Sequence, residues 1–140
     1  MKKFLFRLWQ WTWGFPQSLV GLIVYLQNRN KPHFEYHGTV VTRWGKRGSM
    51  GVGMFLFLGD YTDPQREKQV LVHEFGHAVQ SMILGPLFLI VMGIPSFLWA
   101  NLKPCKRMRE EKGVSYYSFY PEKNANFFGK LVTKENCQIK

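Results

Sequence analysis

Apolar positions along the chain gather into three blocks, each divided by glycine, proline or polar breaks. The first, residues 1–28, opens on basic residues and carries no charge from Leu8 to Asn28. Pro16 interrupts it and leaves Leu19 to Leu26 too short to cross a bilayer alone. Trp9, Trp11 and Trp13 cluster as interfacial tryptophans do. No small-x-small cleavage site follows, so the stretch reads as a retained apolar anchor, either one kinked span or an in-plane helix. The second block is rich in aromatic and β-branched residues. Phe34 to Trp44 and Met50 to Leu58 read as two strands joined by a turn at Gly45 to Gly48, a β-hairpin over 33–58, although Gly51 and Gly53 weaken its second strand. The third block begins with a helix over 63–81, for which Asp63 is a suitable N-cap and Pro64 fits the first helical position. It continues as an uncharged run through Leu102, so 82–102 is an apolar membrane or core segment, divided by Gly85-Pro86 and Gly93 to Pro95. A basic stretch to Lys112, an aromatic linker and a short helix over 121–129 complete the chain. The pattern predicts one domain over 1–140, α+β and mainly helical: two chemistry-bearing helices, a small hairpin and apolar membrane-associated helices.

The charge supports the membrane part of this picture. The net charge is +10. Its basic residues flank the apolar blocks: Lys2, Lys3 and Arg7; Arg29 and Lys31; Lys103, Lys106, Arg107 and Arg109. That distribution suits anionic membrane lipids as partners. No nucleic-acid-binding motif is present, and no nucleic acid partner is expected. Cys105 and Cys137 form no CxxC pair, and nothing requires an oxidising compartment.

The chemistry lies in the third block. His73, Glu74 and His77 form H-E-x-x-H. On a helix, positions i and i+4 share a face, so both imidazoles reach one zinc ion at roughly 2.0–2.1 Å. Glu74 is placed to act on a water at the metal rather than to ligate it. Val70, Leu71, Val72, Phe75, Ala78 and Val79 make the helix a buried one, and three polar groups buried together need a shared partner. A catalytic site wants a third protein ligand, drawn here from Glu110, Glu111, Glu122, Glu135 and the two cysteines. Glu122 fits best. It opens a short helix on which Ala125 permits close approach, and Asn126 can accept the Nδ1–H of a ligating histidine.

H-E-x-x-H followed at a distance by Glu122-x-x-Ala125-Asn126 resembles the gluzincins, and is most similar to membrane-bound metallopeptidases of the CAAX-prenyl-protease-like group. Those families usually have aspartate where Asn126 stands. The resemblance implies a Zn²⁺-dependent peptidase acting on a peptide or protein substrate, held at a bacterial inner membrane with its site facing the cytoplasm. His73, His77 and Glu122 would hold the metal, with Glu74 as general base. The oxyanion donor falls among Tyr116, Tyr117, Tyr120 and His37, between which the sequence does not choose. The alternative is a non-catalytic zinc protein of the membrane. Topology adds a constraint: Glu122 must return to His73 and His77, so 78–102 either enters the bilayer and returns or stays within the protein.

Overall fold

The computed structural model describes residues 3–46 and 48–134. The architecture is α+β and mainly helical, with six α-helices and one four-stranded sheet among the described residues. The organising element is α3, Pro64–Leu84. Asp63 caps it by accepting from the Gln65 N–H at 3.0 Å, with Pro64 in the first turn, where its missing N–H costs nothing. Every residue from Val70 to Ser81 is buried, so the middle of this helix is enclosed on all sides.

One side of α3 meets the sheet. β1 (His33–Tyr36), β2 (Thr39–Arg43), β3 (Met50–Val52) and β4 (Phe55–Leu58) lie in the order β1-β2-β4-β3. β2 runs parallel to β4 with Val40 opposite Phe55, and the two outer pairs are antiparallel. This corrects the single hairpin expected over 33–58, since each expected strand is itself folded into a tight hairpin. His37 and Gly38 both have positive φ (48° and 92°), the requirement of a type I′ turn, and Gly53 (φ 61°) turns the chain between β3 and β4. Gly51 has a different task. A Cβ there would come within 2.6 Å of the Glu74 carbonyl oxygen, so the glycine lets edge strand β3 lie against α3. The glycines that appear to weaken a strand are what fold it. Phe57, Leu56 and Val41 pack with Val72 and Phe75 to form the core between sheet and helix.

The other side of α3 meets α6, Tyr120–Thr133, which extends beyond the expected 121–129 at both ends. Two glycines set the approach. A Cβ on Gly76 would lie 1.8 Å from the Ala125 carbonyl oxygen, and one on Gly129 would lie 2.1 Å from that of Val72. No larger residue fits this crossing.

Residues 3–28 form two short helices, α1 (Lys3–Thr12) and α2 (Phe15–Gln27), broken at Trp13 and Gly14 rather than at Pro16, which sits in the first turn of α2. After α3, Gly85 (φ 57°) turns the chain against Trp13. A 3₁₀ turn (Gly85–Leu87) and a π-helical turn (Leu89–Gly93) lead into α4 (Ile94–Asn101) and then α5 (Lys103–Lys112), which ends on a left-handed Gly113. Pro86 and Pro95 both sit in first turns, the division expected of 82–102. Among the described residues no helix is long and apolar enough to cross a membrane.

Candidate metal centre

Close packing of α3 on α6 brings Glu122 to the two histidines. His73 Nε2 lies 2.8 Å and His77 Nε2 3.3 Å from Glu122 Oε2, and all three residues are buried. Tetrahedral ligands at the bond lengths of zinc stand roughly 3.3 Å apart, close to these separations. The group could hold a metal ion.

The far side of each imidazole decides its tautomer. His73 Nδ1 is 2.6 Å from Asn126 Oδ1, the partner anticipated from the sequence. His77 Nδ1 is 2.8 Å from Gln80 Oε1. The Gln80 amide is oriented by its own NH₂, which donates to the Pro121 carbonyl at 2.9 Å, so its oxygen faces the ring. Both Nδ1 atoms therefore carry the hydrogen, and both Nε2 lone pairs converge on one carboxylate oxygen. Three facing acceptors repel unless a cation sits among them or the rings take up extra protons. The second carboxylate oxygen, Oε1, accepts from the Ser96 hydroxyl of α4.

The electrostatics of the metal-free group follow the same logic. Burial would raise the Glu122 carboxyl, but His77 and His73 outweigh it and hold it well below the usual carboxylate range. Burial would lower the His77 imidazolium, but the charge and hydrogen bond of Glu122 dominate, with Glu74 and the Gln80 bond adding to them, and it rises to about 9. Glu74 is pushed up, chiefly by burial, with Glu122 adding to it and the histidines opposing.

Glu74, His77 and Glu122 border a cavity of about 650 Å³, walled by β3 on one side and by α4 on another. The four expected oxyanion donors separate. Tyr116 lines this cavity and hydrogen-bonds Ser96, its phenol pushed up mainly by burial. Tyr117 packs edge-on against the His73 ring at 5.0 Å. Tyr120 donates to the Val91 carbonyl at 2.6 Å, and His37 packs on Phe75 at the β1–β2 turn. Of the four, only Tyr116 is among the residues lining the cavity. Among the other ligand candidates, Glu110 and Glu111 are exposed on α5 and Cys105 is half-buried there, while Glu135 and Cys137 lie outside the described residues.

Two contributors were not anticipated from the sequence. Gln80 stands three residues after His77, a spacing that marks a shared helix face. Ser96 carries no such signal, because only the folded path of 82–102 brings it to Glu122. Compared with known protein families, curated proteins and solved structures, the chain matches none.

Proposed function

We propose that the protein is a membrane-associated, zinc-dependent metallopeptidase. The supporting observation is that Glu74, which is no part of the ligand group, borders the same cavity as His77 and Glu122. A purely structural metal site is closed, whereas a catalytic one keeps a position open toward substrate. Two imidazoles and a carboxylate suit zinc among the common divalent ions.

Zinc bound there would acidify the attacking water and polarise the scissile carbonyl. The chain's own residues do the rest. Asn126 and Gln80 hold the histidine tautomers, and Ser96 holds the free oxygen of Glu122. Glu74 takes the proton from the water and passes it to the leaving amine, and burial raises its proton affinity. The Tyr116 hydroxyl, held protonated in the cavity wall, donates to the oxygen that gains charge. An extended peptide pairs along edge strand β3, whose Met50, Gly51 and Val52 border the cavity.

The test uses zinc-loaded protein and a quenched fluorescent peptide library. Wild type should cleave it. Glu74→Gln should retain zinc and lose turnover by roughly 10²–10⁴-fold. Undiminished cleavage by Glu74→Gln would refute its role, and a wild type that binds zinc without cleaving would favour a non-catalytic metal protein.

A further inference from the structure

Helices α1 and α2 turn an apolar face outward and bury polar side chains. The side chains buried against the protein include Gln10, Gln17 and Ser18. The outward ones include Leu5, Leu8 and Trp9 of α1 and Leu19, Ile23 and Leu26 of α2, each between 40% and 55% exposed. The outward set is spaced helically, whereas the inner faces are mixed: Phe6 is buried beside Gln10, and Leu22, Val24 and Tyr25 pack on the core. The inward polar groups are bonded except at Gln17 Oε1. Gln10 Nε2 donates to the Ala78 carbonyl at 2.8 Å, Ser81 donates to Gln10 Oε1 at 2.8 Å, and Gln17 Nε2 donates to Ser81 Oγ and to the Gly85 carbonyl. In water, leaving such apolar faces outward forfeits the free energy of burying them. In lipid the preference reverses, because apolar side chains lose nothing there while polar groups must find partners inside the protein.

The apolar face extends past these helices. Trp9 donates to the Met82 carbonyl at 2.7 Å and seats α1 beside the end of α3. Beyond it Ile83, Leu87, Ile90, Ile94 and Phe97 are 53–67% exposed. Charge borders this surface. α2 runs out into exposed Arg29 and Lys31, and α4 leads directly into α5 with exposed Lys103, Lys106 and Arg107. Val20 of α2 and Ile94 and Phe97 of α4 belong both to the exposed face and to the lining of the cavity that holds Glu74, His77 and Glu122.

We propose that this face lies embedded in one leaflet of an anionic bilayer without crossing it, and that the cavity opens into the lipid between α2 and α4. Resting on the metallopeptidase reading, the substrate is then a membrane-resident polypeptide that enters sideways. The rim of lysines and arginines meets the anionic headgroups.

Nitroxide labels at Leu19→Cys, Phe97→Cys and, as a control, Gln65→Cys decide the docking, each in a chain with Cys105→Ser and Cys137→Ser. On adding vesicles of phosphatidylcholine and phosphatidylglycerol, the first two labels should become more accessible to oxygen than to a water-soluble nickel chelate, with Gln65 unchanged. Vesicles of phosphatidylcholine alone should bind roughly tenfold more weakly or worse. Labels at Leu19 and Phe97 that stay open to the nickel chelate overturn the proposal. So does shielding of both from either reagent in detergent, before vesicles are added, since a second copy then covers the face. For sideways entry, a quenched peptide carried on a lipid anchor should be cleaved in preference to the same peptide free in solution, and equal cleavage overturns it. Cleavage of neither peptide contradicts the metallopeptidase reading alone, because the label measurements need neither metal nor turnover.

Discussion

His77 is fixed at both ring nitrogens, and the two contacts make different demands. Gln80 accepts from Nδ1, so Nε2 must present a lone pair to the metal position or take a second proton. Replacing Gln80 with leucine, or Asn126 with leucine, should lower zinc affinity by roughly 10–100-fold while leaving the helices intact; competition with a chromophoric chelator measures the first and far-ultraviolet circular dichroism the second. Protonation gives a second prediction. Glu122 is held low, so its contribution is present above the unfolded carboxyl value of 4.5 and is lost as pH falls. His77 is raised, so its contribution is complete below 6.5 and is lost as pH rises through about 9. Glu74, raised by burial, also destabilises the fold as pH climbs above 4.5. Chelated protein should therefore have its highest Tm between about pH 4.5 and 6.5, whereas zinc, which competes with protons for the same nitrogens, should raise Tm more at pH 8 than at pH 6. Thermal scans with chelator and with zinc across that range check both signs. The ligand pair and Glu74 were legible because helical spacing alone puts i and i+4 on one face. Asn126 was legible once Glu122 had been chosen. Ser96 was not, since its role depends on a loop path that no local pattern encodes.

At the scale of elements, the site depends on how closely α3 and α6 approach. Gly76 sits inside the H-E-x-x-H motif, yet its importance is backbone contact with Ala125 rather than chemistry. Gly76→Ala and Gly129→Ala should each destabilise the protein by about 1–3 kcal/mol, the usual range for overpacking, or more. Both should weaken zinc binding further by moving Glu122 away from the imidazoles. Denaturant titration beside metal titration separates the two effects, and a Gly76→Ala protein of unchanged stability and affinity would show that the helices are not held by that contact. The capped start of α3, the Pro-marked breaks after it and the Gly113 stop of α5 could all be read from punctuation residues. The sheet could be read only coarsely. A β-rich run looks the same whether it is one strand or two, and here the turn lies in His37-Gly38, where the signal is a residue tolerant of positive φ followed by glycine. The parallel pairing of β2 with β4 brings together residues about fifteen apart, a relation that periodicity cannot express.

For the molecule as a whole, the same N-terminal helices that cover the end of α3 leave a broad apolar surface outward. Purified protein should stay monodisperse in detergent and self-associate when detergent is removed, as followed by light scattering. That the N-terminal block is apolar was plain from the sequence. That Gln10 and Gln17 turn inward, onto Ala78, Ser81 and Gly85, was not, because composition does not say which face of a helix looks in. On the proposed function, one metal ion is held by His73 and His77 of α3 and Glu122 of α6. This is tested most directly by elemental analysis of protein purified with zinc, comparing wild type with His73→Ala, His77→Ala, Glu122→Ala and the off-site control His37→Ala. Wild type and His37→Ala should each carry one zinc per chain, and the other three should carry little or none. Wild type without zinc, or Glu122→Ala retaining zinc as tightly as wild type, would contradict it.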